Sequence, residues 1–126
     1  MKLAYVDTSC VVAVFLGEPG SPRLARRLAS FHEVFASSLL EAEWRATASR
    51  EKVAVDDTPL DALRWVQPDR RLTPELKRVL EVGYVRGADA WHLACALYVF
   101  AEPDDATFLT LDRRQRAAAK KLGFAV

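Results

Sequence analysis

Cysteine is scarce in this 126-residue chain: Cys10 and Cys95 are its only two, each inside an apolar run and without CxxC spacing. That pattern excludes a disulfide framework and reads as two buried thiols. Histidine is as rare, with two residues, and no His/Cys set has the spacing of a zinc site. No apolar run reaches membrane-spanning length, and no basic segment leads into a long apolar stretch at the start. A soluble, cytoplasmic protein with no membrane contact is therefore expected. Charge of one sign is also missing. Lys and Arg number 18 against 17 Asp and Glu, a net +1, so any cationic footprint for a polyanion must be local. Repeats, low-complexity tracts and linkers are lacking too, which predicts one domain over residues 1–126.

What the chain does have is 51% apolar and 28% charged residues, enough for a globular core. Short apolar runs alternate with helical segments. Strands are expected at Lys2–Val6, Glu33–Ala36, Trp65–Gln67, Thr107–Leu111 and Phe124–Val126. Helices are expected at Thr8–Leu16, from Ser21 as N-cap to Ser30, at Ser38–Val53, after Asp57, from Thr73 to Val82, at Gly87–Ala101 and at Arg113–Leu122, the last closed by Gly123. The segment from Gly87 is apolar all round and so reads as buried. This alternation predicts an α/β fold, a three-layer α/β/α sandwich with a central, mainly parallel sheet.

In such sheets ligands bind beyond the carboxyl ends of the strands. Two acids stand there: Asp7 after "KLAYV" and Asp112 after "TFLTL". Each also has a structural explanation. Asp7 can cap the helix from Thr8, and Asp112-Arg-Arg-Gln115 has capping-box spacing. Glu43 is harder to explain structurally. On a helical wheel Leu39, Leu40, Ala42, Ala46 and Thr47 gather on one face with Glu43 near its centre. Glu41 projects opposite, beside Arg45 and Ala48. A carboxylate in an apolar face must be paired, protonated or bound to a cation, and Arg50 on the same face is the pairing alternative. Asp89 opens the buried helix, where an acid favours the helix dipole, and His92 follows one turn later as a supporting residue. Four carboxylates brought to one sheet edge repel unless a cation sits among them. An all-oxygen set suits Mg²⁺, with Mn²⁺ as a substitute, for water attack at phosphorus.

The stretches "YVDTSC", "SSLLEAEWRA", "RGADAWHLACAL" and "FLTLDRRQRAAAKKLGFAV" stand in the order found in PIN-domain proteins, and the chain most resembles the VapC-type toxins of toxin–antitoxin pairs. The resemblance implies a divalent-metal-dependent endoribonuclease with Asp7, Glu43, Asp89 and Asp112 as its acidic quartet. It places Thr8, Ser9 and Thr110 near the metal. It further implies an RNA substrate, an inhibiting antitoxin and a homodimer. Arg113 and Arg114 directly follow Asp112 and Arg86 stands just before Asp89, which makes them the candidate RNA contacts. Arg23, Arg26 and Arg27 also cluster, as do Arg116, Lys120 and Lys121 on the last helix. Trp44, Trp65 and Trp91 are possible base-stacking residues, with core packing the expected role of Trp44 and Trp91. Two further readings of a PIN fold remain: an RNA-processing nuclease outside a toxin–antitoxin pair, and a binding module without activity. A haloacid-dehalogenase-type phosphatase needs a second acid two residues after Asp7, where Ser9 stands. A phospho-acceptor receiver needs an acid pair near the first strand and a lysine near the last; "DTS" supplies one acid, and no Lys-Pro follows the Thr107–Leu111 strand.

Overall fold

The computed structural model describes residues 1–126. Four parallel strands form the sheet: β1 (Leu3–Val6), β2 (Glu33–Ser37), β3 (Arg64–Val66) and β4 (Ala106–Leu109), in the order β3-β2-β1-β4. Seven helices connect them: α1 (Thr8–Phe15), α2 (Ser21–Ala29), α3 (Ser38–Glu51), α4 (Thr58–Asp61), α5 (Thr73–Val82), α6 (Gly87–Val99) and α7 (Arg113–Leu122). The chain leaves β1 toward β2 and β3, then crosses back to lay β4 against the other side of β1. The strand order thus reverses between β1 and β4, which opens a crevice at their carboxyl ends.

Alternation along the strands splits the apolar side chains into two cores, one on each face. Tyr5, Phe108 and the partly buried Phe35 join α5, α6 and α7. Ala4, Val6, Ala36 and Leu109 join α1, α3 and α4. Three layers follow, as the α/β/α expectation required. Helix α6 buries every residue from His92 to Leu97, which explains its lack of a polar face.

Several boundaries differ from the sequence reading. The cap of α2 is Gly20, at φ 85°, and Ser21 is already the first helical residue. The third strand starts one residue earlier than expected, at Arg64, and ends at Val66. The final segment is no strand but one parallel bridge, Thr107 to Ala125. It is held by Phe108 N–H to the Ala125 carbonyl at 2.8 Å and Ala125 N–H to the Ala106 carbonyl at 3.1 Å. On α3 the buried stripe is Leu40, Trp44 and Ala48, whereas Ala42 and Ala46 are exposed. The true face is rotated toward Trp44, so Glu43 flanks the stripe rather than centring it. Trp44 is 1% exposed, packed on Phe15, and stacks no base. Glu41 is solvated as expected, and Arg45 pairs with it and with Asp57.

Helix α7 ends on Gly123, whose φ of 108° few side chains adopt and whose missing Cβ would sit 3.4 Å from Pro103. Gly123→Ala is expected to lower stability by roughly 1–2 kcal/mol, read as a lower urea midpoint with an unchanged m-value.

Candidate active site

The crevice between β1 and β4 gathers the acids. Asp7 follows β1 directly, and its N–H donates to the Leu109 carbonyl at 3.1 Å, which ties it to the end of β4. Its side chain caps α1, where Cys10 N–H reaches Oδ1 at 3.4 Å. The Ser9 hydroxyl donates to the same oxygen at 2.7 Å. The residue is 4% exposed, so capping and burial act together on one carboxyl group.

The Thr110 hydroxyl lies 2.8 Å from Asp7 Oδ2 and 2.7 Å from Gln115 Oε1 while accepting Asp112 N–H at 3.0 Å. It has one proton and two oxygens to satisfy. The Gln115 amide is oriented by Nε2, which donates to the Asp89 carbonyl at 3.3 Å, so Oε1 must face Thr110. The Thr110 proton is shared between two acceptors, Asp7 Oδ2 and Gln115 Oε1. Burial pushes the Asp7 carboxyl up, against the hydrogen bonds from Ser9 and Thr110. Gln115, fully buried, does not reach back to the Asp112 N–H as a capping box would. Asp112 does cap α7, with Oδ1 accepting Gln115 N–H at 2.7 Å.

Glu43 is held from the other side of the crevice. Its Oε1 accepts the Thr8 hydroxyl at 2.7 Å and lies 2.9 Å from His92 Nε2. His92 Nδ1 lies 3.1 Å from the Tyr5 hydroxyl, which accepts Ser37 N–H at 3.1 Å. One tautomer satisfies the chain: Ser37 N–H to Tyr5, Tyr5 O–H to Nδ1, and Nε2–H to Glu43. The His92 hydrogen bond, followed by that of Thr8, outweighs partial burial and holds the Glu43 carboxyl below its usual range. Arg50, the alternative partner, pairs with Glu51 instead. Ser37 also caps α3 by accepting Leu39 N–H, and it receives the Trp91 indole N–H at 3.1 Å.

Asp89 and Asp112 line a groove of about 610 Å³ together with Arg86, Arg113, Arg114 and Tyr84. Partial burial first, then the Asp112 charge, raises the Asp89 carboxyl. None of these three arginines is in an ion pair, unlike Arg45, Arg50, Arg64 and Arg70 on other surfaces. Arg27 of α2, which the sequence left unplaced, lies with Arg116 at a small hollow of about 70 Å³ beside Thr110. A separate hollow of about 270 Å³ between α1, α2 and α4 has no titratable lining residue and no means for this chemistry. Cys10 and Cys95 are free and buried, and burial pushes their thiols up to about 12 and about 11.

As the side chains stand, no three His, Cys, Asp or Glu residues lie close enough together to hold a metal ion. The donor chemistry nevertheless fits a hard cation. Glu43 Oε2, Asp112 Oδ2 and both Asp89 side-chain oxygens accept no protein hydrogen bond. The Asp112 and Glu43 charges that add to burial in raising Asp89 are the kind a cation relieves. The structure also uses residues that the sequence reading missed. Gln115 was visible only as a capping-box partner. Tyr5 and Ser37 carried no signal beyond strand alternation and helix capping, and Tyr84 carried none.

The raised Asp7 carboxyl has a pH consequence. Between the unfolded Asp value of about 3.9 and the raised folded value, the native state keeps a proton that the unfolded chain has lost. Stability from this group therefore declines as pH rises through that window. Asp7→Asn leaves no charge for burial to oppose. In EDTA at neutral pH the variant is expected to be more stable than wild type by about 1–3 kcal/mol, the usual cost of a buried unmatched polar group. The advantage should shrink as pH falls toward the unfolded Asp value. Urea midpoints measured across pH test this, and a wild type that is the more stable protein at neutral pH refutes it.

Comparison with known proteins agrees with this geometry. Residues 4–121 match the PIN domain model. The chain is 34% identical over 129 residues to Ribonuclease VapC46 of Mycobacterium tuberculosis (strain ATCC 25618 / H37Rv), an alignment covering all of this chain and 97% of that protein. With a parallel sheet, a crevice at the β1/β4 reversal and acids from four segments around it, the chain belongs to the PIN domain family and is of the VapC type.

Proposed function

We propose that this chain is a Mg²⁺-dependent endoribonuclease, with Mn²⁺ as a working substitute, and the toxin of a toxin–antitoxin pair. It acts in the cytoplasm as a homodimer through one domain spanning residues 1–126. The observation that carries the reading is the pairing of Asp89 and Asp112 with three free arginines in one groove, where the Glu43 charge also reaches Asp89. Negative charge to bind a cation and positive charge to bind phosphates are set side by side. The similarity to a protein named as a ribonuclease supports RNA as the polymer.

Asp7, Glu43, Asp89 and Asp112 would hold the metal, directly or through water. A divalent ion held there would supply a more acidic water and offset charge developing on the phosphate. The chain's own residues prepare that site. Ser9 and Thr110 fix the two Asp7 oxygens, and Thr8 with His92 fixes one oxygen of Glu43, leaving the other without a protein partner. Arg86, Arg113 and Arg114 would draw the RNA backbone over the acids, and an antitoxin would block the same groove.

Incubation of total cellular RNA with the protein, with and without Mg²⁺, tests the activity, and end-mapping then locates the cuts. Cleavage should require the metal and fall by at least about 100-fold in Asp7→Asn and Glu43→Gln, since a metal site contributes several kcal/mol to the barrier. Undiminished cleavage by folded Asp7→Asn refutes the nuclease reading. RNA binding without cleavage by wild type supports a binding module instead. Arg113→Ala and Arg114→Ala should each weaken RNA binding and reduce the salt slope by about 1.

A further inference from the structure

Tyr84 stands outside every role assigned so far. It follows α5 in the segment leading to α6, and its side chain lines the acidic groove with Asp89 and Asp112. It is 69% exposed, the most exposed large apolar residue after Met1. An aromatic ring left in water beside charged groups gains nothing from folding. Its neighbour is equally uncommitted: Arg114 has no acidic partner and holds its guanidinium 5.9 Å from the Tyr84 ring centroid, within cation–π range. The Tyr84 hydroxyl makes no side-chain hydrogen bond. Ring and cation therefore form one surface at the groove rim.

We infer that Tyr84, steadied by Arg114, is a stacking platform for a nucleobase of single-stranded RNA. This inference rests on the nuclease reading and deepens it. A duplex keeps its bases stacked on one another, whereas an unpaired strand offers base faces to aromatic and guanidinium planes. The groove volume of about 610 Å³ lies within the size range of small-ligand sites, roughly 300–1,000 Å³. It has room for a nucleotide whose phosphate meets Arg86 or Arg113 and whose base lies on Tyr84. Stacking is tolerant of base identity, so the platform sets strandedness and register at the acids rather than a sequence motif.

The test compares two strands of equal length and charge: a short oligouridine and an abasic ribose–phosphate chain. Binding to wild type, Tyr84→Ala, Tyr84→Phe and Tyr84→Trp is followed by fluorescence anisotropy in calcium buffer, with strand integrity checked on a gel. Wild type should prefer the strand with bases by about tenfold. Tyr84→Ala should lose most of that preference and keep its affinity for the abasic strand. Tyr84→Phe and Tyr84→Trp should retain it. The platform is overturned if wild type binds both strands alike, or if Tyr84→Ala keeps the full preference. It is overturned too if Tyr84→Ala loses both strands equally, with a change of oligomeric state by sedimentation marking Tyr84 as an interface residue. In these three outcomes the nuclease reading still stands. Failure of wild type to bind either strand overturns both.

Discussion

One buried carboxyl group holds the ends of two strands together. Asp7 receives Ser9 and the Cys10 N–H on one oxygen and meets Thr110 on the other, while its own N–H bonds to Leu109. Helix α1, strand β4 and, through Thr110 and Gln115, the start of α7 and the backbone of α6 all converge on it. These elements are drawn together at the crevice because they meet at one residue. Packing alone would favour an amide or an apolar group there. Burial opposes its charge, and a cation bound there would relieve that cost. The group that organises the crevice is thus also its least comfortable occupant.

The second constraint runs through the sheet itself. Tyr5 points into one core, yet its hydroxyl joins His92 of α6 to the cap of α3 at Ser37. His92 then holds Glu43 from below. The orientation of a half-exposed glutamate is therefore set by a fully buried tyrosine, and the network can shift only if the core repacks. That arrangement suits a site in which a carboxylate must keep one oxygen free and fixed.

Much of this architecture was legible in the residues. Strand–helix alternation predicted the three layers, and Asp7 and Asp112 stood where strands end. Helix α7 was predicted at its observed bounds because its cap and its closing glycine are both local signals. The misses share a cause. The wheel misplaced the α3 stripe because alanine at positions 42 and 46 looks apolar in sequence but buries too little area to choose a face, whereas Trp44 chooses it. Phe124–Val126 read as a strand because short apolar runs look alike, and only tertiary pairing limits the segment to one bridge. Tyr5, Gln115 and Tyr84 act through neighbours 26 to 87 residues away or through exposure, neither of which a local pattern records. The four acids were singled out in the sequence, but how Asp7 and Glu43 are restrained depends on hydrogen bonds that cross the chain.

The edges of the sheet carry a consequence for assembly. On one side β3 is only three residues long. On the other, the Ala125 bridge takes up the Phe108 N–H and the Ala106 carbonyl that β4 would otherwise present outward. A parallel sheet with a minimal strand at one border and a sealed border at the other offers no template for strand addition. Copies or partners of this molecule must meet it through helix faces and loops. The groove at the strand ends is then left clear of the join that a continuous intermolecular sheet would impose.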